Sequence, residues 1–203
     1  MFSAELQYRL AMRLTRARLF TYASILLNRG TRLPPMYFQV LGQMKKHLGQ
    51  LDKWFDATVT FAEGKSIDPN VFLGFRLAPD QFPFSRQVQL TCDTAKLATS
   101  RLTGKDAPVY PDTEASIEDL RARVRSIIAF LDTLTEADFE GAATRTVSHP
   151  RWGAKTLAGS DYFLEHAMPN FFFHLSHVYA ILRHNGVSVG KHDYLGALSF
   201  RGE

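Results

Sequence analysis

From residue 36 onward, apolar side chains return at alternating intervals of three and four, the repeat that places them on one face of an α-helix. Tyr37, Leu41, Met44, His47 or Leu48, Leu51 and Phe55 form the first stripe, and Gly64 marks its end. The pattern then breaks. Asp68-Pro69 can open a short helical turn, whereas Pro79 and Pro83 interrupt any long one. A second stripe, Val88, Thr91, Ala95, Ala98 and Leu102, follows Phe84 and stops at Gly104, and its small residues permit close approach of another helix. The third follows a loop over 105–115. Ser116 and Asp119 stand there in capping-box spacing, ahead of Ile117, Leu120, Val124, Ile127, Leu131 and Leu134.

The period then changes. Thr146-Val147-Ser148 and Lys155-Thr156-Leu157 read as short extended segments flanking Pro150 to Gly153, which predicts a small hairpin-like excursion. A last helix is predicted from Ser160-Asp161 to Gly186, with Leu164, Met168, Phe171, Leu175, Val178 and Leu182 as its seam and Glu165, Ser176 and Arg183 as a narrow polar stripe. Pro169 lacks an amide hydrogen, so it frees the carbonyl of Glu165 and bends the axis there. Four such helices predict an all-α four-helix bundle with the excursion placed before the last helix.

Charge divides the chain. The net charge is +4, but residues 1–35 hold Arg9, Arg13, Arg16, Arg18, Arg29 and Arg32 against the single acid Glu5. Taking these from the totals of 24 and 20 leaves 18 basic and 19 acidic residues over 36–203, a balance of −1. A neutral body lacks the cationic field that phosphate backbones need, so nucleic acid is not an expected partner. Residues 1–35, with Leu6, Leu10 and Leu14 at helical spacing among the arginines, have the composition of a targeting segment; the alternative is that the protein starts at Met36. Arg16, Arg18 and Asn28 interrupt the apolar run, so no membrane span is expected. The expected compartment is cytoplasmic, or mitochondrial if residues 1–35 act as a transit peptide. Cys92 is the single cysteine and reads as a small core residue, which excludes an internal disulfide framework.

The candidate chemistry sits on the last helix. His166, Asn170 and His174 stand at i, i+4 and i+8, with His177 three residues on; Asn170, His174 and His177 fall within about 60° of one another at the edge of the apolar seam. Buried imidazole and amide groups need partners, and helix two offers Gln87, Gln89 and Asp93. Two readings follow. Gln89, Asp93, Asn170, His174 and His177 line a polar ligand pocket, or His174 with Asp93 and His166 holds a divalent metal, zinc or nickel, in the bundle core.

The run from Pro169 through His174, continued by Tyr179 to Val187 and Gly190-Lys191, resembles an uncharacterised family of the DinB/YfiT-like superfamily, as do Leu77 to Asp80, Phe82-Pro83, Arg86 to Gln89, Cys92-Asp93, Ala95-Lys96 and Asp193 to Gly196. The resemblance covers Met36 to about Gly196. It implies a four-helix bundle, often dimeric, in a superfamily where many members hold a metal with three histidines and some are thiol-dependent S-transferases or isomerases. In those members the last helix carries His-x-x-x-His, its second histidine twelve residues before a helix-ending glycine. His174 stands twelve before Gly186 and matches that ligand, Asn170 occupies the place of the first, and Gln89 and Asp93 occupy the neighbourhood of the helix-two histidine.

Three functions are therefore expected: a small-molecule-binding or metal-binding bundle with a degenerate site between helices two and four, a non-catalytic homodimeric module, or an S-transferase-like metalloenzyme. The dimeric reading rests on Phe172, Phe173 and Tyr179 lying outside the seam.

Overall fold

The computed structural model describes residues 36–202, so the targeting-like reading of 1–35 lies outside the described residues. Helix α1 spans Met36–Gly64, α2 Phe84–Thr103 and α3 Ile117–Asp132. After the excursion, α4 spans Met168–His184 and a short α5 spans Lys191–Leu195.

The helix ends follow local chemistry. Asp68 caps a 3₁₀ turn, Pro69–Gly74, by accepting the N–H of Asn70. Ser116 accepts the N–H of Asp119 at 3.0 Å, and the Asp119 carboxylate accepts the N–H of Ala115, one residue ahead of the cap. Gly104 stops α2 at φ 77°, a left-handed conformation that costs glycine least, and donates to Ser100 O at 2.7 Å.

Helix α1 packs along α3, α3 along α2, and α2 along α4. Aromatic side chains complete the circuit from α4 back to α1, with Phe172 against His47 and Tyr179 against Trp54. Helix α5 folds back over that seam: Trp54 Nε1 donates to the carbonyl of Asp193 at 3.3 Å, and Tyr194 packs on His47, Trp54 and Tyr179. Phe172 and Tyr179, which the helical stripe leaves without cover, are therefore covered from within the chain; Phe173 alone of the three stays open, at 54% exposure. The core runs through Leu48, Phe55, Phe84, Val88, Leu120, Ile127 and Phe171. Each such side chain removed from water stabilises the fold by about 1.5–3 kcal/mol.

The excursion is an antiparallel two-stranded hairpin, β1 Thr146–Ser148 and β2 Thr156–Ala158, with Val147 opposite Leu157. Its loop is a 3₁₀ turn at Pro150–Trp152, followed by Gly153 at φ 60°.

The last helical segment differs from a uniform helix. It opens with one turn at Gly159–Asp161 and passes through a π-helix at Tyr162–Ala167 before α4. The cause is Pro169: without its N–H the carbonyl of Glu165 has no α-helical donor, and the Met168 N–H reaches five residues back to Phe163 O. The wider turn shifts the phase of everything ahead of it. Leu164, expected in the seam, is 45% exposed, and Tyr162, Phe163 and Ala167 are buried in its stead.

Candidate functional site

Helix α2 presents two working faces. At 100° per residue Gln87 and Thr94 lie about 20° apart, whereas Gln89 and Asp93 lie roughly 120° to 160° away from Gln87. The first pair faces α4. His174 Nδ1 lies 2.8 Å from Gln87 Oε1, and Asn170 Nδ2 donates to Thr94 Oγ1 at 3.0 Å. Gln89 and Asp93, expected as the clamp partners, are turned toward the loop before α3 and α3 itself. Gln89 Nε2 donates to Glu114 at 2.8 Å, and Asp93 takes Arg123 at 2.8 Å and Lys96 at 2.9 Å. Arg123, with its side chain 1% exposed, also binds Asp112 and Glu114. A buried guanidinium demands carboxylates, and that demand decides which way Asp93 points.

The hydrogen bonds orient both polar side chains of the clamp. Gln87 Nε2 donates to the carbonyl of Phe82 at 3.3 Å, so its Oε1 faces His174 and accepts the Nδ1–H. His174 Nε2 then carries the lone pair. Burial pushes the His174 imidazole down to about 4, and the charges of His177 and Arg86 act in the same direction, so the ring is neutral at pH 7. Thr94 donates its own hydroxyl hydrogen to Leu90 O at 2.7 Å and accepts from Asn170, which leaves Asn170 Oδ1 as a second oriented acceptor one helical turn away.

Both side chains line a cleft of about 440 Å³ bounded by α2, the π-turn, α4 and the hairpin loop. From α2 the cleft receives Arg86, Leu90, Thr94, Leu97 and Arg101, spaced at 4, 4, 3 and 4, and Asp93 lines it too. From the hairpin come His149 and Trp152, and from the π-turn Tyr162 and His166, whose rings stack at 5.6 Å. His149, Trp152 and His166 pack on one another at 5.2 to 5.7 Å. His177 is not among the lining residues. Its Nδ1 bonds to Phe173 O on its own helix at 2.7 Å, and its ring lies beside Phe173 and Gln81.

A family model described as a domain of unknown function (DUF1993) matches residues 36–195. The chain belongs to that family. A crystal structure of a DinB family member protein from Shewanella denitrificans matches with 46% sequence identity and a TM-score of 0.80, covering 83% of this chain and 96% of that one. The bundle of this DUF1993 chain is thus DinB-like. None of the curated proteins compared with it matches.

The metal set expected from spacing does not assemble. Among the described residues no group of three or more His, Cys, Asp or Glu side chains is placed to hold a metal ion. Asp93 is committed to Arg123 and Lys96, His166 is stacked on Tyr162 with Nδ1 buried and unpartnered, and the place of a second α4 ligand is filled by the amide of Asn170. The π-turn contributes to this outcome, because it takes His166 off the straight i, i+4, i+8 row. Cys92 is fully buried, and burial pushes its thiol up to about 12, so it is a protonated core group.

The residues missed at sequence level, Arg86, Arg101, Thr94 and Tyr162, left one readable signal: positions 86, 90, 94, 97 and 101 form a helical stripe of their own. The hairpin residues left none, because their nearness to α2 is created by the tertiary fold. Among the described residues no helix is long and apolar enough to cross a membrane.

Proposed function

We propose that this DUF1993 chain is a small-molecule-binding bundle whose cleft between α2 and α4 receives a polar ligand without a resident transition metal. The supporting observation is the pair of oriented acceptors, His174 Nε2 and Asn170 Oδ1, fixed from behind by Gln87 and Thr94 within the cleft. Positioned groups held by second-layer hydrogen bonds are what ligand recognition requires. A ligand bearing N–H or O–H groups one helical turn apart satisfies both acceptors. If the ligand reacts, neutral His174 is the base. The donor set does not fit the three-histidine arrangement of metal-holding superfamily members, so no metal-dependent transfer step is assigned.

Elemental analysis of chain purified without chelator, paired with thermal-shift measurements on sugars, amines, organic acids and phosphate esters, tests this reading. The expected result is substoichiometric zinc and nickel and a compound that raises Tm in the wild type but not in His174→Ala or Asn170→Ala. One equivalent of metal lost in His174→Ala overturns it, as does a panel to which those variants respond as the wild type does.

A second reading, homodimerisation, has support from Phe82, next to Gln81 in the chain, and Phe173, whose ring lies beside His177; they are 55% and 54% exposed. Sedimentation of the full chain tests it: a monomer that Phe173→Ser leaves unchanged removes it.

A further inference from the structure

We propose that the hairpin end of the cleft is an oxyanion subsite in which Arg101 and Tyr162 donate to a carboxylate or phosphate group of the ligand. The proposal rests on the cleft being a small-molecule site and names the chemical class that it takes.

Arg86, Arg101 and Arg151 line the cleft against the single carboxylate of Asp93, which Arg123 and Lys96 already neutralise. Arg86 has its own partner in Asp112 at 2.6 Å. Arg101 has none: among the described residues no carboxylate lies within ion-pair distance of its guanidinium. Among the described residues its one polar contact is Nη1 to the phenol oxygen of Tyr162 at 3.0 Å, with the guanidinium 5.6 Å from the same ring.

Tyr162 supplies an independent observation. The residue is 1% exposed, and its oxygen accepts from Arg101, so its own O–H hydrogen has no acceptor among the described residues. Burial raises the phenol's pKa, which keeps that hydrogen in place at neutral pH. Beside it, His166 Nδ1 is also buried without a partner. A guanidinium with no carboxylate and a hydroxyl hydrogen with no acceptor among the described residues, their N and O atoms 3.0 Å apart beside the hairpin loop, leave donors to spare. An oxyanion answers both, since one oxygen takes the Tyr162 hydrogen while another takes a free Arg101 N–H. A cationic ligand group meets the Arg101 guanidinium here, and a neutral one leaves that guanidinium without a counter-charge.

The test uses the full chain with inorganic phosphate and acetate as probes. Calorimetry reads affinity, and the Arg101 side-chain N–H resonances read location. We expect saturable binding of at least one probe that shifts those resonances, weakened at least tenfold in Arg101→Gln, about tenfold in Tyr162→Phe, and only a few-fold in Arg101→Lys. Preference for phosphate assigns a phosphate ester, and preference for acetate assigns an organic acid. Binding of neither probe, or equal binding by the wild type and Arg101→Gln, overturns the proposal. Should Arg101→Gln fail to fold, the contrast between Tyr162→Phe and Arg101→Lys decides. A ligand that depends on His174 and Asn170 but not on Arg101 refutes the subsite alone. Probe binding that depends on Arg101, together with a panel insensitive to His174 and Asn170, refutes the acceptor-pair reading alone.

Discussion

His174 Nδ1 and Gln87 Oε1, 2.8 Å apart between α4 and α2, set the chemistry of the cleft, because the amide that accepts one imidazole hydrogen dictates which ring nitrogen is left for a ligand. Replacing Gln87 by Leu strands that N–H in a buried site. The expected cost is about 1–3 kcal/mol, read as a lower urea midpoint. Gln87→Glu places a carboxylate there instead and raises the His174 pKa above its present depressed value, measurable by proton NMR of the ring. A His174 titration unmoved by Gln87→Glu refutes the contact.

The same imidazole predicts an acid dependence. Its folded pKa of about 4 lies below the ordinary imidazole value of 6.5, so between those values the unfolded chain binds more protons than the folded one. Stability contributed by neutral His174 is full above pH 6.5 and is lost as pH falls toward 4. His149 and His166, also lowered by burial and by Arg101, act in the same direction. Denaturant unfolding of the wild type and His174→Gln at pH 7 and pH 4.5 checks this. The difference in stability between the two pH values shrinks in the variant, and an unchanged difference shows that His174 is not the group responsible.

Asp93 separates the clamp from the ion network. Asp93→Asn removes an ionised partner from buried Arg123, which keeps Asp112 and Glu114, and the expected loss is about 2 kcal/mol. Because Asp93 does not bond to His174 or Asn170, the His174 ring should titrate in the variant as it does in the wild type. A loss of bound metal on this substitution contradicts the assignment of Asp93 to Arg123.

Gly159, at the turn that leads from the hairpin into the π-turn, carries the tightest backbone approach in the chain's described glycines. A Cβ at that position falls 1.8 Å from the carbonyl oxygen of Ala142 and 3.2 Å from Leu102. Since the obstacle is backbone, Gly159→Ala is expected to cost about 3 kcal/mol and lower Tm by several degrees. It should also loosen the hairpin loop that carries His149 and Trp152 over the cleft. A variant as stable as the wild type shows that the two segments can part without loss.

Local physics makes the bundle legible in the sequence. Apolar spacing marked α1, α2 and α3, and Gly104, Ser116 and Asp68 marked where segments stop and start, because periodicity and capping depend on residues within one or two turns. The hairpin was readable for the same reason. Spacing also brought Asn170 and His174 to the inward edge of the last helix. Their partners were another matter: Gln87 and Gln89 are equivalent candidates in the primary sequence, and only the rotation of α2 against α4 and α3 separates them.

That rotation follows from demands spread over the whole chain. Buried Arg123 draws Asp93 and the Glu114 partner of Gln89 to its side, so Gln87 and Thr94 are left to face α4. Pro169 withholds one amide hydrogen, and the resulting π-turn swings Leu164 outward and sets Tyr162 and His166 beside Arg101. The helices, their ends and an all-α bundle follow from the order of residues, since these rest on short-range periodicity and backbone chemistry. Which polar groups meet is fixed by packing in three dimensions, because it depends on helix rotation and on a hairpin whose distance from α2 along the chain says nothing about its distance in space.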